Sequence, residues 1–214
     1  MGPVGQLVLD RLQPDRDQLQ RMIGKGPVIK QAFADMLLGK AAEGMDLLLK
    51  PVISVPVPAT EQLVLPKDPK EFAKFLKDRF GIVYTSPEFD SLLMGKTIAA
   101  APAGSTAVSA LQKEANLATM FEHVGENGRV QMGHALWHVG QQMNGPESEP
   151  GPLLVNGWAN FFFVKVEVAP GQFETRAVIF YWSSGLRYWH AYASPLSNPY
   201  RWHVDPQVLS RELL

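Results

Sequence analysis

The spacing of apolar residues changes period once along this chain. It is three to four through much of the N-terminal part and two through the last quarter. Between Pro27 and Lys50, residues Ile29, Phe33, Met36, Leu37, Ala41, Met45 and Leu48 form one stripe, which predicts helix broken or weakened at Gly39 and Gly44. Prolines 51, 56 and 58 end that run and leave an extended segment of the kind tolerated at a sheet edge. The clearest helix is Asp68 to Gly81: Asp68 can cap it, Pro69 suits the first turn, Glu71 completes a capping-box-like pair, and Phe72, Phe75, Leu76 and Phe80 share a face. Ile82-Val83-Tyr84 predicts a short strand, and Ser86-Pro87-Glu88 starts a second capped helix running to Met94. Small residues 97–104 form a connector. Ser105 to Val124 reads as a helix with Val108, Leu111, Ala115 and Ala118 inward, and residues 129–143 fit a further one despite Gly133 and Gly140.

Asn144 to Pro152 holds three prolines and two glycines in nine residues, the strongest loop signal in the chain. Leu153 to His203 then carries thirteen of the twenty-one aromatic residues, so a sheet here would be apolar on more than one face. Pro170-Gly171 predicts a hairpin turn between strands near 158–168 and 173–182, and Ser183-Ser184-Gly185 a second connection into Leu186 to Ala193. With parity kept through both loops, Phe162, Val164, Val166 and Val168 share a core face with Thr175, Ala177, Ile179 and Tyr181, then Trp189, Ala191 and Ala193. The second face then collects Phe161, Phe163, Arg176, Val178, Phe180 and Trp182 with Tyr188, His190 and Tyr192. The tail from Asp205, with Val208, Leu209 and Leu213 on one side, is expected to dock on the sheet.

Composition narrows the chemistry. Hydrophobic residues make up 46% and charged residues 19%, enough apolar mass for a substantial core. A formal charge of −1 gives no global pull towards nucleic acid or an anionic membrane, and no run of apolar residues is long enough to span a bilayer. The chain has no cysteine, which removes disulfides, thiolate nucleophiles and Cys-ligated metals. With no signal-peptide pattern at the N-terminus, the expectation is a soluble, cytoplasmic protein.

Few motifs carry chemistry. His134 and His138 stand four residues apart, a spacing that suits a divalent metal on a helix, but no Glu of the zinc-protease type lies between them. Gly95-Lys96-Thr97 resembles the end of a phosphate loop, but Asp90 occupies the position of its first glycine. No nucleophile elbow is present. The reading is an α+β fold: a helical N-terminal two thirds packed against a C-terminal antiparallel meander of three to four strands. Its regions are 1–143 mainly helical, 144–152 loop, and 153–214 aromatic-rich sheet with tail. The function expected is non-enzymatic binding of a protein or small-molecule ligand through Tyr188, His190 and Tyr192, with Trp182 and Arg176 as neighbours. No cofactor, nucleic acid or membrane is implied. A helix or the tail covering that face, or a homo-oligomer built through it, are the competing outcomes; a metal-assisted hydrolase using His134 and His138 is the alternative function.

Overall fold

A computed structural model describes residues 47–148 and 151–212. Its strands are β1 (Leu49–Val57), β2 (Leu63–Val64), β3 (Ile82–Thr85), β4 (Thr97–Ile98), β5 (Gly104–Leu111), β6 (Asn160–Ala169), β7 (Gln172–Ser183), β8 (Tyr188–Pro195) and β9 (Gln207–Arg211). Its helices are α1 (Pro69–Phe80), α2 (Pro87–Leu93), α3 (Leu117–Val124) and α4 (Met132–Gln141). Seven strands form one mixed sheet in the order β1-β5-β9-β6-β7-β8-β3, and β2 pairs with β4 beside it. The pairs β6–β9 and β3–β8 are parallel and the others antiparallel. A helical two thirds packed on a three- to four-stranded meander is therefore not the fold. The helical stripe expected over 27–46 lies outside the described residues, and from Leu49 onwards that pattern has become strand.

Ser105 to Val124 departs most from its helical pattern. Its first part is β5, and only Leu117–Val124 is helix. Thr106 and Val108 are buried at alternate positions, and β1 and β9 pair with β5 on either side. Two ladders outweigh a modest local preference. The tail also does more than dock. Asp205 turns through a positive φ of 97°, a conformation Asp tolerates, and β9 slots between β5 and β6 as an interior strand.

Other local signals hold. Asp68 accepts from the N–H groups of Lys70 and Glu71 at 2.9 and 3.0 Å, and Gly81 ends α1 in the left-handed region. Ser86 caps α2 through the Phe89 N–H, and Pro87 occupies its first turn. β1 is an edge strand. Gln112 N–H bonds the Leu48 carbonyl, so Pro51, opposite Ser109, falls at a position whose nitrogen faces outward and cannot donate to an added strand.

The central strands β6 and β7 are covered on both sides. On one, α1, α2 and α4 pack over Phe162, Val164, Val178, Phe180, Trp182 and Trp189. On the other, Leu117 and Met120 of α3 lie against Phe161, Phe163, Ala177 and Ile179. Three adjacent phenylalanines, 161 to 163, are thus fully buried in two different cores.

The expected pairing of faces fails at both connections of the meander. Pro170-Gly171 does close the hairpin, pairing Ala169 with Gln172. The register then shifts between Glu167 and Ala169, leaving Val168 as an extra residue. From there Phe162 pairs with Val178 and Asn160 with Phe180. A single bulge reverses which side chains of the partner strand share a face. Thr175, Ala177, Ile179 and Tyr181 consequently leave the face of Phe162, and Arg176, Val178, Phe180 and Trp182 join it. The β7–β8 connection departs as well: it holds four residues, 184–187, and not three, so Ser183 pairs with Tyr188 and Tyr181 with His190, which keeps Trp189, Ala191 and Ala193 on the face of Phe162.

Candidate functional site

The β7–β8 and β3–β8 pairings build a layer of rings at the β7–β8–β3 end of the sheet. Strand alternation puts Tyr188, His190 and Tyr192 of β8 on the face opposite Trp189 and Ala191. Tyr181 of β7 pairs directly with His190, and Tyr84 of β3 pairs with it from the other side through the parallel ladder. His190 is stacked on Tyr181 at 4.4 Å and on Tyr188 at 5.0 Å, and the Tyr84 ring lies 5.0 Å away at 37°. Tyr192 stacks on Tyr181 at 5.6 Å.

The polar tips are linked. The Tyr181 hydroxyl lies 3.0 Å from His190 Nδ1 and 3.1 Å from the Tyr192 hydroxyl, which in turn hydrogen-bonds Tyr84. Burial holds the His190 ring below the ordinary imidazole range. Burial first, then the bonds to Tyr181 and Tyr84, push the Tyr192 phenol well above its usual value. Both groups are therefore neutral near pH 7. None of the five side chains carries a formal charge. His190 is only 9% exposed and its Nε2 is buried without a partner. Tyr84 is 44% exposed, while Tyr181, Tyr188 and Tyr192 are half-buried.

Of the five binding residues expected from sequence, Tyr188, His190 and Tyr192 are brought together. Trp182 is not; it is 4% exposed on the opposite face, set edge-on to Trp189 at 5.6 Å. Gly145 allows this, since a Cβ there would run into the Trp182 ring. Arg176 also faces the other side and pairs with Glu174 at 2.7 Å. Sequence reasoning missed Tyr181 because the β7–β8 connection holds four residues, 184–187, and not three, so Tyr181 rather than Trp182 shares a face with His190. It missed Tyr84 because no local signal announces a parallel partner about a hundred residues away.

No protein family, curated protein or solved structure matches this chain. Function has to be argued from the site itself.

His134 and His138 lie one turn apart on α4. His138 is fully buried, its Nε2 is 3.1 Å from Thr106 Oγ1, and desolvation holds its ring at a pKa of about 4. His134 bonds the Pro102 carbonyl, its ring lowered by burial despite that bond, and Arg211 nearby lowers it further. One ring nitrogen of each, His134 Nε2 and His138 Nδ1, has no partner. A catalytic zinc uses three protein ligands. Among the described residues no three His, Cys, Asp or Glu side chains cluster, and Arg211 adds a like charge where a cation would sit. A cavity of about 20 Å³ beside His134 has room for a water.

A larger open cleft, about 1240 Å³, lies between residues 96–105, the 126–131 turn and the β6–β7 strands. Several of its charged side chains already have partners. Arg129 pairs with Glu126, Lys96 donates to the Glu167 carbonyl oxygen at 2.7 Å, and the Glu167 carboxylate accepts from the Gly171 N–H.

Proposed function

We propose that this protein is a non-enzymatic binding module whose contact surface is the layer of Tyr84, Tyr181, Tyr188, His190 and Tyr192. The observation that carries this reading is the unpartnered Nε2 of His190, buried at the end of a hydrogen-bonded chain of phenols and flanked by the rings of Tyr84, Tyr181 and Tyr188. A buried polar atom left unpaired is costly, so it calls for an explanation, and a ligand atom supplies one. The rings add apolar contact area with polar tips, the combination that recognition surfaces favour. The imidazole and the Tyr192 phenol are both held neutral, and no carboxylate, Lys or Arg belongs to the layer to form a charged acid–base pair with them. Binding is what such a layer does best.

The paired substitution Tyr84→Ala with Tyr188→Ala tests it. A thermal-shift screen over sugars, peptides and nucleotides should give compounds that stabilise the native chain but not the variant, since a ligand bound only to the folded state raises its stability. The melting temperature of the unliganded variant should stay close to that of the native chain. A variant that keeps every stabilising compound, or one that unfolds like a core truncation, would defeat the proposal.

A further inference from the structure

Resting on the binding role proposed for the Tyr/His layer, we infer that its ligand is an uncharged, hydroxyl-rich molecule of the saccharide class, held by the Nε2–H of His190. The four groups Tyr84, Tyr192, Tyr181 and His190 are joined tip to tip. Two proton arrangements satisfy such a chain, and the chemistry of its last link selects one. A phenol is a stronger hydrogen-bond donor than a neutral imidazole N–H, and the imidazole sp² nitrogen accepts better than a phenol oxygen. Tyr181 therefore donates to Nδ1. It accepts from Tyr192, which accepts from Tyr84. A neutral imidazole has one donor and one acceptor nitrogen, so the proton sits on Nε2. The one polar atom of His190 left unused is then a donor, and its complement is an oxygen acceptor.

Charge selects the kind of oxygen. No Lys or Arg belongs to the layer, and Arg187, on the β7–β8 loop, is engaged by Glu147. A carboxylate, phosphate or sulfate set among neutral phenols would lose its hydration with no counter-charge in return. A ligand cation finds no carboxylate, and an unused donor repels it. Saccharide hydroxyls instead both donate to and accept from phenol tips, and their C–H faces lie against aromatic rings. A peptide strand adding beside the layer would have only β3, four residues long, to pair with. Access to Nε2 needs one flanking ring to give way. Tyr84 has the room, being 44% exposed on the edge strand that closes this side of the sheet.

Two measurements on the full chain decide the matter. Long-range proton–nitrogen spectra of the labelled protein at pH 7.5 should show His190 protonated at Nε2; an Nδ1–H tautomer overturns the inference. A titration with neutral hexasaccharides (malto-, cello-, xylo- and N-acetylchito-) should shift the His190 and tyrosine ring signals with at least one of them. Tyr181→Phe, which removes the donor to Nδ1 and keeps the ring, should weaken that binding about tenfold, the effect of one hydrogen bond. Absence of any shift from all four sugars overturns the inference, as does tighter binding of a sulfated hexasaccharide. If short peptides or nucleotides shift the layer while the sugars do not, the saccharide class fails but the binding role stands. If no class shifts the layer, the binding role fails with it.

Discussion

Acid should unfold this protein through His138. Its ring is fully buried between α4 and β5, and desolvation lowers its pKa to about 4, with His134 adding a smaller push in the same direction. In the unfolded chain the same ring titrates near the ordinary value of about 6.5. Between those values the unfolded state binds more protons, so stability is complete above about pH 6.5 and falls as the pH drops towards 4. The whole gap is worth about 3 kcal/mol at roughly 1.4 kcal/mol per pH unit, and about 2 kcal/mol of it is gone by pH 5. Urea unfolding at pH 7.5 and pH 5 measures the loss. His134 and His190 are also lowered and add to it in the native chain, so the comparison is with His138→Gln, which keeps a donor for Thr106. The variant should lose about 2 kcal/mol less than the native protein across that interval. Equal losses in the two proteins would refute the burial argument.

Trp182→Ala should cost about 3–5 kcal/mol in urea unfolding because its ring fills the helix-covered core, whereas Tyr84→Ala, on the open layer, should cost less than about 1 kcal/mol. The reverse order would place Trp182 on the open face after all. Asn160 is fully buried, donates to the Leu154 and Phe180 carbonyls, and accepts from the Leu154 N–H and the Gln207 amide. Asn160→Ala should therefore cost about 3 kcal/mol by denaturant unfolding, through several groups left unpaired at once.

What could be read from sequence depended on how far each cause reaches along the chain. Asp68, Pro69 and Gly81 delimit α1 because a cap is a bond between near neighbours. Pro170-Gly171 locates its turn for the same reason. β5 was hidden in a helical spacing because its strand character comes from β1 and β9, one preceding it and one nearly a hundred residues later. The candidate site was half legible. Alternation along β8 alone brings Tyr188, His190 and Tyr192 to one face. Tyr181 replaced Trp182 there because the β7–β8 loop holds four residues, 184–187, and not three, which pairs Tyr181 with His190, and nothing local in Ser-Ser-Gly-Leu-Arg marks where the loop ends. Tyr84 arrives through a parallel ladder, which only the folded chain displays.

The most direct test of the binding role is an aromatic NMR map of the full chain, recorded as representatives of the sugar, peptide and nucleotide classes are added in turn. At least one class should move the ring signals of Tyr84, Tyr181, Tyr188, His190 and Tyr192 together, leaving Trp182 and Trp189 in place. Signals that move only around the 96–105 and 126–131 cleft, or around His134, would contradict the binding role.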